Sequence, residues 1–205
     1  FGQLSKSCSG ELIYSIKKID VNNIQSTFGN DNPNTEEKLI IYAKDSLIKR
    51  VHFNSKNGIQ ESIEHLSHEK KILLLSIDSV NYAVQLPTEK TNGQKKLDST
   101  YQLSKKCFPK IRFAGLKGKP MLLSHPMLSN DLHIWFSKNI PPKYNAVYDQ
   151  LPGLPLKYYI ISEKGLYLYE LESFNQYDPP LSIFQIPMKT HILSLEDFID
   201  LLEKQ

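Results

Sequence analysis

Apolar and polar residues alternate along much of the chain with a period of two, which is the pattern of β-strands. In Val80–Leu86, the four apolar residues at even positions share one face, whereas Asn81 and Gln85 fall on the other. A strand with this pattern has one buried face and one wetted face. The same alternation predicts strands over Glu11–Ile19, Lys38–Lys44, Ser46–Asn54, Ile59–Leu66, Lys71–Ile77, Lys119–His125, Asp131–Phe136, Leu156–Ser162 and Leu166–Ser173.

The segments between these strands are short, as at Asp45-Ser46, Asp78-Ser79 and Glu163-Lys164-Gly165. Such loops join antiparallel strands, because a parallel connection needs a dozen or more residues. No amphipathic helix separates the strands, which excludes doubly wound and (β/α)8-barrel folds. We therefore predict a single domain over residues 1–205, all-β to α+β, built on one large curved antiparallel sheet.

One helix is predicted, over Ser194–Lys204. Ser194 can cap its first turn, and the acidic residues Glu196 and Asp197 suit the positive end of the helix dipole. An apolar stripe at helical spacing is formed by Leu195, Phe198, Leu201 and Leu202. We expect this stripe to pack against the sheet.

Two of the strands, Lys71–Ile77 and Leu156–Ser162, are apolar on both faces. A strand of that kind needs cover on both sides of the sheet. The cover could be the C-terminal helix, a loop such as Lys138–Pro155, a partner chain, or an apolar ligand held in the concave face of a strongly curved sheet.

Composition narrows the function classes. The chain has 205 residues with 25 Lys+Arg and 22 Asp+Glu, a net charge of +3 with both signs interleaved. This mild excess does not predict nucleic-acid binding, which needs a concentrated basic stripe. No apolar run approaches the ~20 residues of a membrane span. Because the chain begins at Phe1, we expect an exported protein without its signal peptide, although a trimmed chain would begin in the same way.

The two cysteines, Cys8 and Cys107, leave two interpretations open. A disulfide between them would close a loop of about 100 residues and would suit an exported protein. Alternatively, both thiols are unpaired and pack as small hydrophobes. Neither cysteine has a second Cys or His at ligand spacing, so we do not expect a metal site there.

Sequence signals for catalysis are weak. His65 and His68 are three residues apart, which suits a solvated turn better than a metal pair. His125 and His133 could face each other across a hairpin near Asp131, which makes them a weak metal or acid–base candidate. We find no nucleophile elbow, phosphate loop or dinucleotide fingerprint. The sequence therefore predicts a non-enzymatic protein without a cofactor.

The stretch Trp135-Phe136, Ile140-Pro141 and Gln150-Leu151-Pro152-Gly153-Leu154-Pro155-Leu156-Lys157-Tyr158 resembles the GLPGLI family of secreted or envelope proteins of uncharacterised function from Gram-negative bacteria. Gln150 stands where the family has its first Gly, and Pro155 where it has the final Ile. The resemblance implies an exported half-barrel, similar in fold to periplasmic lipoprotein carriers, and it implies no catalytic residues.

The Leu151–Pro155 turn has two interpretations. Pro152 fixes φ and Gly153 can adopt positive φ, so the segment can be a structural turn that leads into a strand. Alternatively, it gates or lines an apolar pocket together with aromatic side chains, including a Tyr159 that we expect to lie opposite Tyr169. The candidate ligand-binding residues are Leu74, Trp135, Phe136, Leu151, Pro152, Gly153, Leu154, Tyr159 and Tyr169.

Three functional hypotheses follow, in decreasing order of support. The first is a periplasmic or secreted protein that binds a lipid or another apolar small molecule on the curved sheet. The second is an envelope protein that uses the same apolar face for a protein partner. The third is a metal-assisted or hydrolytic enzyme built on His125, Asp131 and His133.

Overall fold

The computed structural model describes residues 7–19, 37–54, 58–87, 100–106, 108–148 and 150–204. All of the strands predicted from the alternation are present, with ends that differ by a few residues. The strands are β1 (Ser9–Ile19), β2 (Glu37–Lys44), β3 (Leu47–Asn54), β4 (Gly58–His65), β5 (Lys70–Ile77), β6 (Val80–Leu86), β7 (Gln102–Ser104), β8 (Arg112–Phe113), β9 (Leu116–Lys117), β10 (Lys119–Ser124), β11 (Leu132–Ser137), β12 (Leu154–Ser162), β13 (Gly165–Asn175) and β14 (His191–Ser194).

Twelve of these strands form one large, open, curved sheet in the order β14-β6-β5-β4-β3-β2-β1-β13-β12-β11-β10-β7. Strands β1 to β6 are sequential neighbours, and β13 pairs with β1 in an antiparallel ladder. The remaining pair, β8 and β9, forms a small separate hairpin. The predicted fold class is therefore confirmed.

Turn chemistry explains the tight hairpins. Asp78 and Ser79 both have positive φ, at 49° and 67°, and Ile77 pairs with Val80 directly across them. Two consecutive residues of this kind give a turn whose twist matches that of the flanking strands. At the β12–β13 hairpin, Ser162 pairs with Gly165. That loop is therefore shorter by one residue than the sequence indicated.

The sheet is not wholly antiparallel, which corrects the sequence expectation. Strand β14 pairs in parallel with β6, with Leu193 opposite Val84. After β13 the chain crosses the sheet in residues 179–190, which we name the strap. This crossover is long enough for a parallel connection, but it contains the 3-10 helix Leu181–Phe184 instead of an amphipathic α-helix.

The main core lies on one side of β1, β2 and β3, which we name the core face. Leu12, Tyr14, Ile41 and Ile48 are fully buried there. They belong to one cluster with side chains of residues 138–153, which we name the core cover and which contain a 3-10 helix of their own. The loop that the sequence proposed as one possible cover is therefore confirmed in that role.

The described residues contain a single α-helix, α1 (Leu195–Glu203), as predicted. The Ser194 side chain accepts a hydrogen bond from the backbone amide of Asp197 and caps the helix. Phe198 is buried, and its ring lies 5.9 Å from that of Tyr82 on β6. Within the described part of the chain, no helix has the length and apolar character that crossing a membrane would require.

Candidate functional site

The Leu-Pro-Gly-Leu segment belongs to the core. Leu151 and Leu154 are buried, and Phe136 of the neighbouring strand β11 is buried in the same cluster. Pro152 is exposed at the turn. The backbone amide of Leu154 donates to the carbonyl of Ile140 at 2.9 Å, which ties the end of the core cover to its beginning. This packing is what the structural interpretation of the turn predicts.

Gly153 is required for a reason other than the expected one. It is not among the glycines with positive φ, so the turn does not depend on a left-handed backbone there. Instead, a Cβ atom at this position would lie 2.1 Å from the carbonyl oxygen of Ser137. The close approach of two backbone segments, rather than a dihedral angle, therefore requires glycine.

The tyrosine register differs by one residue from the prediction. Tyr158, not Tyr159, lies opposite Tyr169, and their rings stack at 4.8 Å with an interplanar angle of 13°. Tyr159 pairs with Leu168 and therefore points to the other side of the sheet. The cause is the shorter hairpin loop, because removing one loop residue changes which residues face each other.

Tyrosine hydroxyls fasten the core cover to the sheet. Tyr144 Oη donates to the carbonyl of Asp45 and accepts from the amide of Cys8, both at 2.8 Å. Tyr148 Oη donates to the carbonyl of Tyr159 and accepts from its amide. Cys8 is a buried free thiol, and burial raises its pKa to about 11. Its suggested disulfide partner, Cys107, lies outside the described residues.

Leu74 belongs to a second, smaller core beneath the strap. It packs with Ile63, Ala83 and Phe184, and Phe184 comes from the 3-10 helix of the strap. The strap therefore covers one of the two apolar faces of β5. Six strands separate β5 from β11 in the sheet order, so Leu74 and Trp135 lie in different parts of the sheet.

The histidine candidates do not converge. His125 Nδ1 accepts from the backbone amide of Met127, whereas the His133 ring packs against Phe108 at 4.1 Å. Asp131 accepts from Ser124 Oγ at 2.6 Å. In the part of the chain that the structure describes, no group of three His, Cys, Asp or Glu side chains is placed to hold a metal ion.

A groove of about 510 Å³ lies between the strap and the strands β2, β3 and β4. We name it the strap groove. The strap is held at its start by Lys44, whose Nζ bonds the Asp178 carboxylate at 2.8 Å and the Pro179 carbonyl at 3.0 Å. It is held in the middle by the buried side chain of Phe184 and at its end by β14. The groove is lined by Ile40, Tyr42, Lys49, Val51, Phe53, Glu61, Ser182, Ile183, Gln185, Ile186, Pro187 and Met188.

The strap groove combines apolar walls with a few polar groups. Lys49 Nζ and the Glu61 carboxylate form an ion pair at 2.9 Å, and their side chains are only 15% and 29% exposed. Burial raises the pKa of Tyr42 to about 12, and the carboxylate of Glu11 adds to the effect, so its hydroxyl keeps its proton at neutral pH. Met188, which also lines the groove, has 91% of its surface exposed.

None of the nine candidate residues lines the strap groove. Leu74 comes nearest, because it is paired across the ladder with Glu61. A usable signal was present in β2, where Ile40 and Tyr42 add two apolar side chains to the face opposite Ile41 and Ala43. That strand needed cover on both sides, just as β5 did. The cover is supplied by the strap, which is part of a crossover. No local pattern in the sequence predicts that crossover.

The fold defines a class of protein with one open sheet, a packed core on one face and a strapped groove on the other. No family model matches the chain, and no curated protein matches its sequence. Among solved structures, the crystal structure of MucB in complex with MucA(peri) is 13% identical, with a TM-score of 0.46. That match covers 88% of this chain and 55% of the MucB chain.

A structure of PNGF-II is 14% identical, with a TM-score of 0.48. The match covers 95% of this chain but only 33% of the PNGF-II chain. The chain thus spans about half the length of one of these proteins and a third of the other.

Proposed function

We propose that the protein is a non-enzymatic binding protein of the cell envelope, and that it holds an apolar or amphiphilic chain in the strap groove. The observation that carries the proposal is a half-open groove of about 510 Å³ whose apolar lining residues alternate with Lys49, Glu61, Ser182 and Gln185. This volume lies within the range of roughly 300–1,000 Å³ that is typical of small-molecule sites. Membership of the GLPGLI family, and the export that it implies, are part of the same proposal.

Lipid is the favoured class of ligand because of how the apolar groups are arranged. Ile186, Pro187 and Met188 of the strap line the groove together with Val51 and Phe53 on β3. Each methylene of an acyl chain buried between such walls contributes about 0.8 kcal/mol of transfer free energy. The Lys49–Glu61 pair and the Tyr42 hydroxyl offer hydrogen-bonding partners to a polar end group.

The first test is native mass spectrometry of the freshly purified protein, followed by organic extraction and lipid analysis. We expect a reproducible bound amphiphile, and we expect the stripped protein to bind a fluorescent fatty-acid probe. A bare polypeptide mass together with no probe binding would rule out the lipid assignment. A peptide found in the same groove would instead favour the second hypothesis, an envelope protein with a protein partner.

Two variants test whether the fatty-acid probe binds in the strap groove. Ser182→Trp fills the groove from the exposed strap, and we expect at least about a tenfold loss of probe affinity, which is about 1.4 kcal/mol. Met188→Glu places a charge at the rim and should weaken binding less. The matched control is Met127→Glu, because Met127 is also largely exposed but lies outside the groove. Equal losses in Met188→Glu and Met127→Glu would show that the probe binds elsewhere.

A further inference from the structure

The charge of the chain is unevenly distributed, although its net value is small. Residues 100–130 contain six basic residues and no acidic residue, whereas the whole chain carries only +3. We name these six residues the basic patch. They are Lys105, Lys106, Lys110, Arg112, Lys117 and Lys119.

The fold brings the six side chains together. Arg112 and Lys117 pair directly across the β8–β9 hairpin. The amide of Gly118 donates to the carbonyl of Ile111 at 2.8 Å, which holds the hairpin closed next to Lys119. Strand β7 runs antiparallel to β10 with Ser104 opposite Leu122, so the residues that follow Ser104 lie beside the start of β10. The segments that carry the patch therefore lie next to one another at the β7–β10 end of the sheet.

The basic patch has no internal charge compensation. Five of its side chains are exposed, and Lys119 is half-buried. Among the ion pairs between described residues, none involves a member of the patch. Arg112 uses one guanidinium nitrogen on the carbonyl of Gly115, which leaves its charge unneutralised. Lys106 Nζ lies 5.5 Å from the centre of the Phe108 ring, a contact that also leaves the charge unneutralised. Six neighbouring cations with no acidic partner among the described residues create a positive potential that attracts an anionic surface.

An apolar side chain stands within this positive surface. Ile111 lies between Lys110 and Arg112 and is 44% exposed. An exposed aliphatic group flanked by cations suits a phospholipid surface, where the cations meet headgroup phosphates and the apolar group enters the interface. A nucleic acid would call for free aromatic rings on which bases stack. The nearby rings are already engaged, with Phe108 against His133 and Phe113 against Trp135.

We propose that the basic patch docks the protein on an anionic phospholipid surface, with Ile111 inserted among the headgroups. The β8–β9 hairpin rests on Trp135, which alternates with the buried core residues of β11 and so faces the same side of the sheet as the strap groove. Docking by the patch would hold that side of the sheet near the bilayer. The patch and the groove share no residue, so each can be tested without the other.

The test is co-sedimentation of the whole protein with vesicles of phosphatidylcholine alone, or with a third of the lipid replaced by phosphatidylglycerol. We expect binding only to the anionic vesicles, and we expect added salt to weaken it. Lys105→Glu/Lys110→Glu should lower the partition coefficient at least about 25-fold, because each cation near an anionic membrane contributes roughly fivefold. Ile111→Ser should lower it several-fold without changing the net charge.

The control is Lys164→Glu/Lys204→Glu, which changes the net charge by the same amount at exposed positions outside the patch. Thermal unfolding confirms that each variant is folded. An equal loss in this control would overturn the proposal, because net charge alone would then explain binding. The proposal would also be overturned if the wild-type protein did not co-sediment with anionic vesicles at low salt. So would equal affinity for duplex DNA and for vesicles with no effect of Ile111→Ser, since the patch would then be a general polyanion surface.

Discussion

The core cover and the strap are built alike, yet a packed interior lies beneath the core cover and a groove lies beside the strap. Each crosses one face of the sheet, and each contains a four-residue 3-10 helix that follows a proline, Pro142–Asn145 after Pro141 and Leu181–Phe184 after Pro180. The core cover is fastened along its length by tyrosine hydroxyls and leaves a packed interior. The strap is fastened at Lys44, Phe184 and β14, and a groove remains beside it.

The difference lies in how polar groups are satisfied along each segment. Beneath the core cover, the hydroxyls of Tyr144 and Tyr148 pair with backbone donors and acceptors, and side chains of the cover and the sheet belong to one buried cluster. Beside the strap, Phe184 is buried against the sheet and Ile183 and Ile186 pack against the same small cluster, whereas Pro187 and Met188 stay exposed beside the groove. A cover with distributed hydrogen bonds becomes part of the core, whereas one attached at a few points can leave a binding site.

The largest expected effect comes from Gly153→Ala in the core cover. The new Cβ would meet the Ser137 carbonyl oxygen, and relieving that clash requires backbone movement in a packed region. We expect a loss of about 3 kcal/mol in the free energy of unfolding, measured by urea denaturation. The control is Gly58→Ala, where the added Cβ meets nothing and only the positive φ opposes it. A smaller loss at Gly153 than at Gly58 would contradict the close-approach explanation.

Tyr148→Phe should cost about 2 kcal/mol. The change removes the hydroxyl that pairs with both the amide and the carbonyl of Tyr159, and these groups would stay unpaired in a largely buried place. The control Tyr177→Phe removes an exposed hydroxyl and should change stability by less than about 0.5 kcal/mol. Both variants should bind the fatty-acid probe like the wild type. Loss of probe binding in Tyr148→Phe would place the ligand beneath the core cover instead of in the strap groove.

Alkaline pH should lower the free energy of unfolding because two partly buried tyrosines, Tyr159 and Tyr169, resist ionisation in the folded protein. Burial raises the pKa of both Tyr159 and Tyr169 to about 12, against about 10 in an unfolded chain. Their contribution is fully present below pH ~10, and it is lost as pH rises toward ~12 because the unfolded state then binds fewer protons. Each group lowers the free energy of unfolding by at most about 1.4 kcal/mol per pH unit in that window.

The measurement is urea denaturation at pH values across this window, with phenolate absorbance followed in parallel. Tyr169→Phe should make the decline with pH shallower. A free energy of unfolding that stays constant from pH ~10 to ~12 would contradict the raised pKa values. Below pH ~9, the same two tyrosines should leave stability unchanged with pH.

The sequence predicted the hairpins because their causes are local. Alternation selects which face of β6 is buried, and residues such as Asp78 and Ser79 can adopt the positive φ that a two-residue turn needs. It also predicted α1, whose cap at Ser194 and apolar stripe lie within one helix. In contrast, the tyrosine register depended on a loop shorter by one residue, and a shift of one residue exchanges the two faces of a strand.

From the sequence one could predict that some apolar strand faces need cover, but not which segment covers them or where the groove lies. Two-faced strands such as β5 required cover on both sides, but the identity of the cover is a matter of long-range topology. The strap is more than 100 residues away in sequence from Leu74, which it buries with Phe184. The parallel strand β14 is equally nonlocal, since it joins β6 only after the chain has crossed the sheet. Neither the contact between the strap and Leu74 nor the pairing of β14 with β6 can be predicted from any single window of the sequence.

The smallest effect is expected at the floor of the strap groove. Lys49→Met should destabilise the protein by about 1 kcal/mol or less, because it leaves the partly solvated Glu61 carboxylate without its partner. Lys49→Met/Glu61→Leu removes both charges and should recover most of that loss. The double variant should also bind an uncharged apolar probe a few-fold more tightly, since no ion pair would then need to lose water. If that variant instead bound the probe more weakly, the ion pair would be part of the ligand contact, and the strap groove would resemble the core cover in using polar groups to fasten what lies against the sheet.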